Sequence, residues 1–263
     1  MGRALIGGLL ERGAPRETLR VGEAYEPSRA ALARDFGVFV SAENAEAVAD
    51  ADVVLLAVKP QDAGKVLVAL QPIFHSKPPL VISIAAGIRI GDLQTWCGPN
   101  VPVVRSMPNR PALVGAGATG LFASATVGED HRSVAENIMR AVGAVVWVQS
   151  EDALDVVTAL SGSGPAYFFL LAELMMEAAV NLGLTPEAAR TLAVETLHGA
   201  GKLAHASDGD LARLRAEVTS KGGTTAAAVN AFEAANLREI VARALTAATE
   251  RGRELAAQFG AQR

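Results

Sequence analysis

A chain of 263 residues, half of them hydrophobic and only 5% aromatic, suits one large or two modest domains with a core of Ala, Val and Leu. Its 24 basic and 28 acidic residues leave a formal net charge of −4, and no basic stripe appears, which argues against a nucleic-acid binder. The single cysteine, Cys97, excludes an intrachain disulfide and fits a reducing cytoplasm. The chain opens on a helical stretch whose apolar part, Leu5–Leu10, is too short for a signal-peptide core and runs into Glu11 and Arg12. No apolar run approaches the ~18–20 residues of a membrane span, so a soluble, cytoplasmic protein is expected, with no membrane partner.

Up to Ser150, short β-branched runs alternate with helical stretches. Strands are predicted at 19–23, 52–58, 80–84, 101–107 and 144–148, and helices at 28–36, 45–49, 61–70, 90–96 and 130–142. The runs 53–58 and 80–84 are almost wholly apolar, as parallel strands covered on both faces must be. This alternation argues a doubly wound, Rossmann-like α/β domain over residues 1–150. After Ser150 the strands stop. Residues 154–160, 166–182, 186–206, 210–218, 225–235 and 237–259 all read as helix, so 151–263 is expected to be an all-α domain. Pro186 behind Thr185 marks a capped helix start, and Gly183 marks a helix stop. Several of these helices are apolar over more than one face, for example Phe168-Phe169-Leu170-Leu171-Ala172. About 110 residues offer little interior to hide them, so an intimate homodimer is expected.

The stretch that speaks most directly to chemistry is Thr219-Ser220-Lys221-Gly222-Gly223-Thr224-Thr225, which runs into an alanine-rich helix. Paired glycines let backbone approach a ligand closely, and a helix N-terminus there offers unpaired amides to a carboxylate. An ordinary N-capped helix after a surface loop remains the plain alternative. The segment resembles the signature of the pyrroline-5-carboxylate reductase family, commonly Ser-Pro-Gly-Gly-Thr-Thr, with Lys221 in place of the proline. Four further stretches resemble that family's motifs in the expected order: Ala57–Gln61, Ser83–Gly87, Arg105–Pro111 and Ser161–Tyr167. The resemblance runs from Met1 to about Gln258.

That resemblance implies reduction of 1-pyrroline-5-carboxylate to L-proline by NAD(P)H, the last step of proline biosynthesis, in a homodimer that some relatives gather into rings. It places the substrate on Ser220, Gly222, Gly223, Thr224 and Thr225, with Glu151 and Glu217 as further contacts. Glu217 stands where relatives often carry asparagine. Thr225 takes the position whose hydroxyl donates toward the imine nitrogen. It places the cofactor on Asn44, Ala57, Val58, Lys59, Pro60, Ala85, Ala86, Gly87, Met107, Pro108 and Asn109. Lys59 either faces the cofactor's phosphates or ribose, or is a solvated lysine at a strand end. Arg110 replaces the family's usual threonine. Glu23, ending the second strand, could accept from a ribose 2′-hydroxyl of NAD, whereas Ser28 and Arg29 could receive the 2′-phosphate of NADP. NADP is the expected cofactor, with NAD as the alternative.

In the family a strand and a Gly-x-Gly turn precede the stretch that resembles residues 1–10, and that strand is central in a 3-2-1-4 sheet. Without it, its neighbours should lie unpaired along an edge. A start codon upstream of Met1 is the expectation; a truncated product with impaired cofactor binding is the other. Ser161-Gly162-Ser163-Gly164 looks like a nucleophile elbow but has no preceding strand, and is expected to be a helix break that admits cofactor or substrate. His75, His131, His198 and His205 show no ligand spacing, so no metal is expected. Two other functions compete. A β-hydroxyacid dehydrogenase would need Lys202 as its catalytic lysine. A non-catalytic oligomeric scaffold would bind no dinucleotide.

Overall fold

Strand and helix alternate through the first half of the molecule because apolar β-branched runs recur between amphipathic stretches. The computed structural model describes residues 1–260. Helix α1 (Gly2–Glu11) leads into β1 (Arg20–Gly22), α2 (Glu26–Phe36), β2 (Phe39–Ser41), α3 (Asn44–Val48), β3 (Val53–Leu56) and α4 (Pro60–Ser76). Then come β4 (Leu80–Ser83), α5 (Ile90–Cys97), β5 (Val103–Met107), β6 (Gly117–Ala123), α6 (Glu129–Arg140), β7 (Gly143–Trp147) and α7 (Ala153–Val157). Beyond α7 the chain is helical: α8 (Gly164–Asn181), α9 (Pro186–Ala206), α10 (Leu211–Glu217), α11 (Thr224–Ala234) and α12 (Leu237–Gly260).

The strands form two separate ladders. β1 and β2 pair in parallel, and β3-β4-β5-β6-β7 form a five-stranded sheet that is parallel except at β5–β6. No ladder joins β1 to β3 among the described residues, so the strands flanking the expected central position are unpaired there. The larger sheet is covered on both faces. Leu80 and Ile82 of β4 join Leu5, Val104, Leu121 and Met139 on one side. Val81, between them, joins Leu67, Phe74, Leu93 and Val103 on the other. Successive side chains of a strand point to opposite faces, so a strand buried at every position needs helices on both.

Two strands escaped the sequence reading. β2 is three residues long. β6 carries Gly117 and Gly120, which look like turn residues. A Cβ at Gly120 would lie 2.8 Å from a methyl of Val157, so this glycine lets α7 press onto the strand. Gly143, at φ +149 with its Cβ direction filled by the backbone of Gly117, admits no side chain.

The compact units differ from the expected boundary at Ser150. One comprises Met1–Ser163 with the chain from Ala248 onward, and the other is Gly164–Ala247. Residues 151–163 belong to the first because Leu154, Asp155 and Ala159 are buried in it and ion pairs hold their turn. At Ser161–Gly164 the α-helix is interrupted. A π-helical turn, Thr158–Gly162, follows α7, and Ser163, its N bonded to Thr158 O at 2.8 Å, forms a bend before α8 begins at Gly164. The span Ala153–Asn181, 29 residues, has a mean hydropathy of 1.3 over 18 of them. By length and composition that span is long and apolar enough to cross a membrane, contrary to the sequence reading, because Ser161–Gly164 adds no charge to it. In the second unit Thr185 caps α9, accepting from Ala188 N at 3.3 Å, with Pro186 at the first turn. Gly183 stops α8 at φ +105.

Candidate active site

In the five-stranded sheet the register pairs Leu56 with Ser83 and Ser83 with Arg105, so the C-terminal ends of β3, β4 and β5 lie side by side. The loops that leave those ends carry Ala57–Lys59, Ala85–Gly87 and Met107–Asn109. In open α/β sheets a ligand lies at this edge. Ala57, Ala86 and Lys59 are exposed, and Ala85 and Pro108 are buried. Lys59 is the N-cap residue of α4, followed by Pro60, and no side chain caps that terminus. Gly87 has φ +78, which only glycine adopts readily. A Cβ there would also meet the ring of Phe259 at 3.1 Å, so α12 supports this loop from within the same unit.

The smaller ladder contributes a second cluster. Asn44 opens α3, and its Oδ1 occupies the place a Cβ on Gly22 would take. The Glu23 carboxylate accepts from Tyr25 N at 2.9 Å, so it is folded onto its own turn. Arg29 reaches back to the same turn and donates to Glu23 O at 2.7 Å and Ala24 O at 3.1 Å. A cation thus stands at the end of β1, and the N-terminus of α2 has no side-chain cap.

Three residues expected to contact a ligand also hold protein partners. Asn109 is 8% exposed and both ends of its amide are used: Nδ2 donates to Ser161 O at 3.0 Å, and Oδ1 accepts from Ala118 N at 2.9 Å. It latches the 107–109 loop to the π turn. The Oε1 of Glu151 accepts from Arg105 Nη1 at 2.6 Å and from Ile90 N at 2.7 Å. Glu217 Oε1 accepts from Arg213 Nη1 at 3.1 Å across one helical turn. Arg213 also holds Asp208 at 3.0 Å, and that hydrogen bond keeps the Asp208 carboxyl below its ordinary range.

In the second unit the glycine-threonine segment forms a bare helix start. Gly222 has φ +74, and Gly223 is the N-cap of α11, with no side chain bonded to the helix's first amides. Gly223 N closes a turn onto Ser220 O at 3.1 Å. Thr224 and Thr225 are therefore the first two helical residues and not the cap, and neither hydroxyl has a hydrogen-bond partner among the described residues. The first amides of α11 are left for a ligand or water. Nothing in the sequence signalled the Arg105–Glu151 pair or the Asn109 latch, because both join residues more than forty positions apart. No group of three or more His, Cys, Asp or Glu side chains converges among the described residues.

An open α/β sheet with small-residue loops along one strand edge, followed by helices, is an arrangement that suits a dinucleotide-dependent oxidoreductase, and the comparisons with known proteins give that class. Residues 1–87 match the family model "NADP oxidoreductase coenzyme F420-dependent", and residues 151–255 match "Pyrroline-5-carboxylate reductase dimerisation". The chain is 46% identical over 260 residues to the pyrroline-5-carboxylate reductase of Pseudomonas aeruginosa, covering 99% of this chain and 95% of that protein. It superposes on the Coxiella burnetii pyrroline-5-carboxylate reductase with a TM-score of 0.94 at 43% identity, covering 97% and 94% of the two chains. The Plasmodium falciparum pyrroline carboxylate reductase, solved with NADP bound, gives a TM-score of 0.82 at 29% identity over 97% and 94%. The chain belongs to the pyrroline-5-carboxylate reductase family. Its dimerisation domain makes it a homo-oligomer.

Proposed function

We propose that this protein reduces 1-pyrroline-5-carboxylate to L-proline with NADPH, completing proline biosynthesis. The observation that carries this is the bare N-terminus of α11, presented by Gly222 and Gly223 and followed by two unpartnered threonine hydroxyls. Backbone amides at such a terminus suit a carboxylate, both as hydrogen-bond donors and as the positive end of the helix dipole. Ser220 and Thr224 add hydroxyl donors beside them. Glu151 and Glu217, whose carboxylates answer to arginines, stand outside this substrate set. Arg213 also neutralises Glu217, so a like charge is not left facing the substrate.

The residues of the first unit fit a dinucleotide. The uncapped start of α4 behind Lys59, and the Arg29 cation, suit phosphate groups. Asn44 follows β2 of the smaller ladder and the 57–60 loop leaves β3 of the larger sheet, and Ala85, Ala86 and Gly87 leave room for a flat ring. Met107 and Pro108 line the nicotinamide end, with Asn109 holding them in place. Glu23 spends its carboxylate on Tyr25 N while Arg29 stands at that turn, which favours NADPH over NADH. When bound, the reduced nicotinamide supplies the hydride that saturates the imine carbon.

Thr225 orients the substrate: its hydroxyl donates to the imine nitrogen and polarises the C=N bond. A threonine hydroxyl is too weak an acid to release its own proton at neutral pH, so the proton that completes the secondary amine comes from water. The amides of Thr224 and Thr225 hold the carboxylate so that the C=N bond keeps one face open.

Two further statements belong to this proposal. The assembly is a homodimer built on the helices after Ser163. A second copy, and not a bilayer, covers the long apolar helix, since its first turns hold the buried, ion-paired Asp155. A lone buried thiol and a reaction that consumes reduced dinucleotide support a cytoplasmic location. The test is oxidation of NADPH and NADH by the purified chain with 1-pyrroline-5-carboxylate. NADPH-dependent formation of proline is expected. Dinucleotide binding with no turnover of this substrate would overturn the assignment. An intact dimer that binds no dinucleotide would favour a scaffold.

A further inference from the structure

An arginine in the middle of a sheet needs explanation. Arg105 lies on β5, flanked by β4 and β6, and is 6% exposed. A charge there is costly unless it is paired with good geometry. Its Nη1 meets Glu151 Oε1 at 2.6 Å, and the same oxygen receives Ile90 N at 2.7 Å. Ile90 is the first residue of α5, so the carboxylate also sits at a helix N-terminus, where negative charge is favoured. One residue earlier, Arg89 donates to Asp152 Oδ1 at 2.6 Å and to Asp155 Oδ2 at 2.9 Å, and Asp155 is 4% exposed. The turn 151–155 therefore grips the chain at two places. One is the end of the loop that begins with Ala85-Ala86-Gly87. The other is β5, two residues before Met107.

We infer that Arg105 and Glu151 are positioning residues for the dinucleotide: their ion pair fixes the 85–90 and 107–109 loops in the spacing that accepts the nicotinamide end. This rests on the cofactor assignment above. Stability alone does not call for such a pair, because well-packed apolar residues of similar volume commonly serve it as well or better. The pair instead ties two loops from different strands to one carboxylate oxygen. The Asn109 latch to Ser161 O makes a second, neutral tie between the 107–109 loop and the helical run that starts at the same turn.

The test uses the full-length protein with Glu151→Gln, Arg105→Gln and the double variant. NADPH affinity is measured by fluorescence titration without substrate, so its outcome does not depend on which imine is reduced. For Glu151→Gln we expect NADPH Kd and KM to rise roughly ten-fold, with KM for 1-pyrroline-5-carboxylate unchanged, a loss of the size of one charged hydrogen bond. The double variant should lose no more affinity than the worse single, since the two residues act as one unit. Glu151→Asp, which keeps the charge, should recover part of the loss; it also serves if a glutamine variant fails to fold. A lowered Tm with unchanged NADPH Kd would reduce the pair to a structural role and overturn the inference. A raised KM for the imine substrate with unchanged NADPH Kd would place Glu151 on the substrate and overturn it equally. If the wild-type chain binds NADPH but does not reduce 1-pyrroline-5-carboxylate, the proposed reaction fails while this inference stands.

Discussion

A hydroxyl without a partner at the second residue of a helix, as Thr225 has, adds little to the fold and is free to serve a ligand. Thr225→Val keeps volume and β-branching and leaves the Gly223 N-cap untouched, so the fold should persist. Loss of one hydrogen bond to a developing charge costs ~1.5–3 kcal/mol, and kcat/KM for 1-pyrroline-5-carboxylate should fall roughly 10- to 150-fold. NADPH affinity should stay within two-fold of wild type, a change of about 0.4 kcal/mol. Steady-state kinetics paired with NADPH titration checks both, and wild-type kcat/KM would remove Thr225 from the imine. Cys97 makes the opposite case, a residue whose chemistry is suppressed. Burial at 1% exposure pushes its thiol from 9.0 up to about 11. The folded pKa is the higher one, so the neutral thiol's contribution is complete below the unfolded value and is lost as pH climbs through the folded value. Between pH 9 and 11 this residue should lower stability by up to ~1.4 kcal/mol per pH unit. Chemical denaturation of wild type and Cys97→Ala across that window should show a shallower decline in the variant.

At the scale of elements, glycines set how closely layers approach. Gly120 on β6 faces α7, and an added Cβ would fall 2.8 and 2.9 Å from the two methyls of Val157. Both partners sit on regular elements, so neither yields easily. Gly120→Ala should destabilise the first unit by ~1–3 kcal/mol, visible as a lowered Tm, and Val157→Ala should relieve part of that loss. The same glycine explains what the sequence concealed. Strands β3, β4 and β5 were legible because unbroken Val, Leu and Ile runs have one physical meaning in an alternating chain. β6, with two glycines in seven residues, resembled a turn until its neighbours were known. α9 was legible to the residue, since Thr185 and Pro186 fix its start locally. The π turn at Thr158–Gly162 was not, because no local residue pattern marks it; its tie from Asn109 to Ser161 O comes from 52 positions away. For the site, the glycine-threonine loop stood out in the sequence. The engagement of Glu151 by Arg105 did not, because resemblance gives a residue's position and not which groups claim its oxygens.

For the whole molecule, the decisive quantity is apolar surface that a single copy leaves open. In α8 the only buried residue is Gly164, while Phe168, Phe169, Leu170 and Leu174 are each more than half exposed. A helix this apolar with no buried side chain is stable in water only if something covers it. The match to the family's dimerisation domain fits the cover proposed above, a second copy of this chain. In a two-fold interface every residue is used twice, so one substitution removes two contacts. Full burial of a phenylalanine contributes about 1.5–3 kcal/mol, so the pair Phe168→Ala and Phe169→Ala should weaken association by at least 3 kcal/mol, more than about a hundred-fold in dimer Kd. Sedimentation velocity across a dilution series should then find monomer at micromolar concentration where wild type remains associated. The elements of the first unit bury their own core, so circular dichroism and NADPH affinity should hold close to wild type in the variant. A variant that stays fully dimeric down to nanomolar concentration would move the interface off α8. A variant that aggregates and loses NADPH binding would make α8 a requirement for folding each copy and not only for joining two.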